Sequence, residues 1–100
     1  MQNELNNQNH RQESSHLDHV KEQIDLLENA SFKELNFKVK KLNFLCLNFD
    51  PFDFDTKEQE VKNILNEFKL EQYSNDPYLF TKVVLQLIDA TENILNRRVN

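Results

Sequence analysis

The sequence predicts an all-α fold, a small helical bundle of three to four helices that follows a disordered N-terminal tail. Three observations support this prediction. The chain contains no glycine, apolar residues recur at helical spacing in four segments, and capping residues stand before several of those segments. Because tight hairpin turns lean on glycine, its absence disfavours a compact multi-stranded sheet. A chain of 100 residues allows one domain, which we assign to residues 15–100.

The first 14 residues are polar and low in complexity, with only two apolar side chains. Such a segment buries too little apolar surface to offset the entropy lost on ordering, which predicts a disordered tail over residues 1–14. A first helix is predicted to start at Ser14 or Ser15 and to end near Asn29 or Ala30. Its expected apolar face consists of Leu17, Val20, Ile24 and Leu27, widened by Leu26.

A second helix is predicted directly after Ser31, because Ser31 and Glu34 form an S-x-x-E capping box. Apolar residues then recur at alternating spacings of three and four, the pattern of one buried helix face. We expect the thiol of Cys46 to be buried and inert within this face. The predicted buried stripe consists of Phe32, Leu35, Val39, Leu42, Cys46 and Phe49.

The same segment allows an α+β alternative, a two-stranded hairpin at 34–49 with strands at 34–40 and 42–49. Apolar and polar residues also alternate through this segment, and its phenylalanine and valine residues favour strands. The turn would fall at Lys40-Lys41, which is poor hairpin chemistry in a chain without glycine. We therefore favour the helix and keep the hairpin as the alternative.

Two further helices are predicted beyond the Asp50-Pro51 dipeptide, which ends the second helix. Asp55 or Thr56 is expected to cap the third helix, and Asp76 followed by Pro77 is a strong start signal for the fourth. The third helix has an apolar face of Val61, Ile64, Leu65 and Phe68. The fourth helix is expected to run to about Arg97. Its apolar face is wide and consists of Leu79, Phe80, Val83, Val84, Leu87, Ile88, Ile94 and Leu95.

A second apolar face on the second helix bears on function. Phe37 and Phe44 lie seven residues apart on the side opposite the predicted buried stripe, with Leu47 beside them. A helix with two apolar faces is either central in a bundle or covered on one face by a partner. The sequence thus leads us to expect a non-enzymatic protein–protein interaction module, such as an adaptor, a small regulatory subunit or an inhibitor. Its partner would be another protein or, as a homodimer, a second copy.

The linker contributes Phe52 and Phe54 to the same partner-binding hypothesis. Asp50-Pro51-Phe52 is similar to the short Asp-Pro-Phe peptides that bind endocytic adaptor appendages, a three-residue pattern that also recurs by chance. The alternative is a linker that folds its phenylalanine side chains back onto the bundle.

A basic segment gives an alternative functional hypothesis, a nucleic-acid-associated regulatory protein. Residues 32–49 contain four lysines against one glutamate, and Arg97 and Arg98 could join them. The net charge of −5 disfavours nucleic acid as the partner, because phosphate contacts need a basic footprint. The lysines concerned are Lys33, Lys38, Lys40 and Lys41.

We expect no catalytic set, metal or cofactor. The absence of glycine excludes a glycine-rich phosphate-binding loop. His10, His16 and His19 match no metal-ligand signature and are expected to be solvated surface residues. The acidic residues around Asp53 lack the glycine and the twelfth-position glutamate of an EF-hand calcium loop.

The sequence also predicts the compartment. No apolar stretch approaches the roughly 20 residues that a membrane-spanning helix needs, and no signal-peptide pattern is evident. The single cysteine cannot form an intramolecular disulfide. We therefore expect a cytoplasmic protein with no membrane segment.

Overall fold

The structure, a computed structural model, describes residues 18–54 and 58–99. These residues form α-helices and connecting turns and contain no strand, so the all-α prediction is confirmed and the hairpin alternative at 34–49 is wrong. The predicted tail and the predicted start of the first helix lie outside the described residues. The helices are α1 (18–28), α2 (Phe32–Asn48), α3 (Gln59–Glu67) and α4 (Pro77–Val99), with a 3-10 helix at Glu71–Tyr73 between α3 and α4.

The start of α2 has the predicted capping box. The Ser31 hydroxyl accepts a hydrogen bond from the Glu34 backbone N–H at 3.1 Å, and the Glu34 carboxylate accepts one from the Ser31 N–H at 3.4 Å. These bonds satisfy two donors that a helix start leaves unpaired. The helix then continues through Lys40-Lys41 without a break, since neither lysine adopts the positive φ that a tight hairpin turn requires.

The predicted N-terminal cap is present at the start of α4 but not at the start of α3. The Asp76 carboxylate accepts a hydrogen bond from the Leu79 N–H at 3.0 Å, so the predicted cap of α4 is confirmed. The prediction that Asp55 or Thr56 caps α3 is wrong, because the N-cap is Glu58 and its side chain makes no capping bond.

The end of α3 is a Schellman motif with Lys69 in the left-handed conformation at φ 55°. The Leu70 N–H bonds the Leu65 carbonyl at 2.8 Å, and the Lys69 N–H bonds the Asn66 carbonyl at 3.2 Å. Leu65 and Leu70 are both buried, which supplies the apolar contact typical of this motif. Glycine usually occupies the left-handed position because it has no Cβ, so this chain carries a conformational cost at Lys69.

The core lies between α2, α3 and α4, with α1 packed against it. α2 and α4 run antiparallel. The Phe49 ring after the end of α2 lies 5.4 Å from that of Phe80 in the first turn of α4, whereas Arg98 near the end of α4 bonds the Ala30 carbonyl just before α2. The predicted faces of α3 and α4 are confirmed. The buried core is Val20, Leu27, Ala30, Leu35, Leu42, Leu45, Phe49, Val61, Ile64, Leu65, Phe68, Leu70, Tyr73, Phe80, Val83, Val84, Leu87 and Ile94.

The buried stripe of α2 differs from the predicted one. Leu45 is buried, whereas Phe32 and Cys46 are exposed. α3 lies on the side of α2 that carries Lys38 and Lys41, and the edge of the predicted stripe away from α3, with Phe32 and Cys46, is exposed. The prediction of a buried Cys46 is therefore wrong, although partial burial still raises the pKa of its thiol.

Two expectations for α1 are also wrong. Leu26 is exposed and does not widen the apolar face. His19 is only 8% exposed, with its ring edge-on to Tyr73 at 5.3 Å and its Nδ1 3.1 Å from the Gln72 side-chain nitrogen. Because α1 packs against the 3-10 helix at this point, His19 is part of the packed interior. His10 and His16 lie outside the described residues.

Candidate protein-binding surface

A groove of about 420 Å³ lies between α2 and α3. Phe37 and Phe44 stand seven residues apart along its α2 wall, as the sequence predicted, and the buried Ile64 belongs to the α3 wall. We call this feature the α2–α3 groove. It is lined by Phe37, Lys40, Lys41, Phe44, Glu60, Asn63, Ile64 and Glu67.

The outward face of α2 carries a second row of residues at spacings of four and three. We call this row the outer stripe, and it consists of Lys33, Phe37, Lys40, Phe44 and Leu47. Phe37 is 52% exposed and Leu47 is 84% exposed, whereas Phe44 is half-buried and packs against the core. No described helix therefore covers this outward face of α2. The structure places Phe37, Phe44 and Leu47 on one open surface.

The predicted basic segment is divided by one carboxylate on α3. The Lys38 and Lys41 ammonium groups contact the two carboxylate oxygens of Glu67 at 3.0 and 2.8 Å. Lys38 also lies 5.2 Å from the centroid of the Phe68 ring, a cation–π contact. Partial burial alone raises the pKa of Glu67, but hydrogen bonds from Lys41 and Lys38 outweigh this effect, so its pKa lies below the ordinary value.

The other cations are not gathered into the same patch. Lys33 and Lys40 are exposed and form no ion pair within the described residues. Arg97 pairs with Glu28 at 2.7 Å, and Arg98 donates to the Ala30 and Glu28 carbonyls at the end of α1. The two arginines thus connect the last turn of α4 to α1, and they do not extend the lysine segment.

The two linker phenylalanines have separate environments. Phe54 is half-buried, with its ring 5.1 Å from Phe49 and 5.4 Å from Phe80, so it belongs to an aromatic cluster of the core. Phe52 is 67% exposed and stacks edge-on against the exposed Tyr78 at 5.7 Å. Neither lines the α2–α3 groove, so the five predicted partner-binding residues do not form one site.

The Asp-Pro-Phe sequence forms a fixed turn. The Asp50 carboxylate accepts a hydrogen bond from the Phe52 N–H at 2.9 Å, and the Asp53 N–H bonds the Asp50 carbonyl at 2.9 Å. Both the side chain and the backbone of Asp50 are thus hydrogen-bonded within the turn. Phe54 folds back onto the bundle, as the alternative expected, whereas Phe52 remains exposed.

A second, smaller cavity of about 260 Å³ lies where α2, the linker and α4 meet. It is apolar and includes Cys46, Pro51 and Thr81, none of which sequence reasoning selected as a binding residue. The exposed Tyr78 and Leu85 were also missed. Tyr78 and Leu85 are seven residues apart and lie outside the predicted apolar face of α4. This helical spacing could have identified them in the sequence.

Within residues 18–54 and 58–99, no group of three or more histidine, cysteine or acidic side chains is arranged to hold a metal ion. None of the helices described combines the length and the apolar character needed to cross a lipid bilayer. Comparison of the chain with protein-family models, with curated proteins and with solved structures finds no match.

Proposed function

We propose that this protein is a non-enzymatic protein-interaction module, an adaptor, small regulatory subunit or inhibitor, that binds through the outer stripe of α2. Its partner is another protein or a second copy of the chain. The observation that carries the proposal is the exposure of Phe37 and Leu47 on a helix whose opposite face buries Leu35 and Leu42 in the core. Large apolar side chains grouped on one open surface mark interaction sites more often than single exposed ones do.

The α2–α3 groove supports the same proposal. A concave surface beside two phenylalanine rings admits the apolar side chains of a bound helix, which is a recurrent mode of peptide recognition. We place this activity in the cytoplasm, because a single cysteine offers no intramolecular disulfide. We do not extend the proposal to nucleic acid, since two of the four lysines of the basic segment are paired with Glu67 and the chain has a net charge of −5.

Site-specific photocrosslinking in the native host tests the proposal. A photoreactive amino acid replaces Leu47 in one variant and Lys82, which lies on the exposed side of α4, in the matched control. We expect discrete protein adducts from position 47 and few from position 82, because only the outer stripe is covered by a partner. Equal adducts from both positions would contradict the proposal. Light scattering over a concentration series then shows whether the partner is a second copy.

A further inference from the structure

We propose that the outer stripe and the α2–α3 groove bind an acidic amphipathic helix of another protein. This inference rests on the proposed function and specifies the chemistry of the partner. Two sets of observations carry it, the shape of the apolar surface and the charges that border it.

The apolar surface has the dimensions of a helix-binding site. Phe37 and Phe44 stand two helical turns apart along the groove, and Leu47 lies outside the groove lining, about one turn further along the outward side of α2. From Lys33 to Leu47 the stripe extends about 21 Å along α2, which matches a partner helix of about four turns. Apolar side chains at i, i+3 or i+4, and i+7 of that helix would reach the groove.

The charge of the stripe selects an acidic partner. Lys33 and Lys40 alternate with the apolar residues of the stripe, and neither forms an ion pair within the described part of the chain. By contrast, Lys38 and Lys41 beside the groove both contact the carboxylate of Glu67. Lys33 and Lys40 are two helical turns apart. A partner helix with two carboxylates at the same separation beside its apolar face would pair with both lysines. Complementary charges of this kind raise association rates and fix the register of binding.

Glu60 on the opposite wall sets the orientation of the bound helix. Glu60 lines the groove on the wall opposite α2, and its carboxylate forms no ion pair within residues 18–54 and 58–99. Carboxylates of an acidic helix are therefore attracted to the α2 wall and repelled from the α3 wall. Since like charges oppose binding, this arrangement disfavours a helix rotated about its axis.

A second copy of the chain is a poorer occupant of this surface. If two outer stripes paired antiparallel about their centre, Lys40 would face Lys40 of the partner subunit. A parallel pairing would bring each lysine of the stripe against its own equivalent. The stripe also exposes only three apolar side chains, Phe37, Phe44 and Leu47, whereas a stable interface buries about 800 Å² on each partner.

A phage-displayed library of 14-residue amphipathic helices tests the inference, with fixed leucines on one face and flanking positions randomised among glutamate, lysine and glutamine. The library is selected on the full chain, and the selected pool is then tested for binding to a Phe37→Gln, Leu47→Gln variant. We expect the selected helices to be rich in glutamate on one flank and to lose binding to the variant. A synthetic peptide from the pool should bind the Lys33→Glu, Lys40→Glu variant at least about 10-fold more weakly.

Two further variants sharpen the test. Glu60→Lys should bind the same peptide about 3-fold more tightly, because it removes a repulsive charge from the groove. Lys82→Glu on α4 makes the same kind of charge change away from the groove and should leave the affinity unchanged. All four charged positions are exposed, so these variants are expected to fold as the natural chain does.

The outcomes separate this inference from the proposed function. Selection of basic or uncharged helices that still depend on Phe37 and Leu47 would overturn the acidic partner and leave the interaction surface standing. A concentration-dependent dimer that Leu47→Gln dissociates would do the same, with a second copy as the occupant. A pool whose binding ignores both substitutions would overturn the inference and the proposed surface together.

Discussion

The inner and outer faces of α2 have similar spacing of apolar residues but different positions in the fold. On the inner face, Leu35 and Leu42 are completely buried against the other helices. On the outer face, Phe37 and Leu47 remain exposed beside the α2–α3 groove. The main chemical difference is charge, because the outer stripe alternates its apolar residues with lysines whereas the inner face does not. Periodicity alone shows that a face is apolar, and its neighbours decide whether it is core or surface.

The lysines of α2 show the same contrast. Lys38 and Lys41 lie towards α3 and share the carboxylate of Glu67, so their charge serves helix packing. Lys33 and Lys40 lie on the outward side, are exposed and form no ion pair within the described residues. The lysines of this basic segment, which look uniform in the sequence, therefore have two different environments in the structure.

The largest expected effect comes from truncating the two faces in turn. Leu42→Ala should lower the free energy of unfolding by about 2–5 kcal/mol, because it removes a fully buried side chain and leaves a cavity. Leu47→Ala should change it by less than about 0.5 kcal/mol, because its side chain is already in water. Urea unfolding followed by circular dichroism measures both. Similar changes in the free energy of unfolding for the two substitutions would contradict the assignment of one face to the core and the other to the surface.

A smaller, stabilising effect is expected at the end of the helix that holds Glu67. Lys69→Gly should raise the free energy of unfolding by about 0.5–1 kcal/mol relative to Lys69→Ala, because glycine adopts the left-handed conformation without a Cβ clash. The alanine variant is the matched control, since it also removes the ion pair of Lys69 with Glu22 but keeps the Cβ. Thermal unfolding of the two variants side by side gives the difference, and a more stable alanine variant would refute the Schellman geometry.

The smallest expected effect is the acid sensitivity of the Glu67 cluster. The pKa of Glu67 is lower in the folded chain than its ordinary value, so its contribution to stability is present above the unfolded pKa. That contribution is lost as the pH falls below the ordinary pKa of a glutamate, about 4.3, and through the lower pKa of the folded chain. At neutral pH, Glu67→Gln should cost about 0.5–1 kcal/mol, a modest amount because the ion pairs are partly exposed.

Urea unfolding at neutral pH and at acidic pH measures this dependence on Glu67. The difference between the natural chain and Glu67→Gln should shrink on acidification, as the carboxyl group becomes protonated. Glu92→Gln is the control, because Glu92 is exposed on α4 and forms no ion pair within the described residues. If the difference in the free energy of unfolding between the two chains does not change with pH, the ion pairs of Glu67 with Lys38 and Lys41 do not stabilise the fold.

Much of the candidate surface could be predicted from the sequence, but its limits could not. The spacing of Phe37, Phe44 and Leu47 placed them on one face of a helix, and the structure groups them as expected. Phe52 and Phe54 lie in a linker whose course depends on contacts with residues far along the chain. The Phe52 ring packs against Tyr78 and the Phe54 ring packs against Phe80, so the two side chains lie in different environments. The α3 wall of the groove, with Glu60 and Ile64, follows from the packing of two helices and has no local sequence signal.

By itself, the sequence determined the helices, because caps and periodicity act within a few residues of the backbone they organise. The Ser31–Glu34 box and Asp76-Pro77 started two helices where predicted. Only the tertiary structure decided which side of each helix is covered. Cys46 is exposed and His19 is buried, both against expectation. Of the four lysines of α2, Lys38 and Lys41 pair with Glu67. These features depend on contacts between residues far apart in the chain.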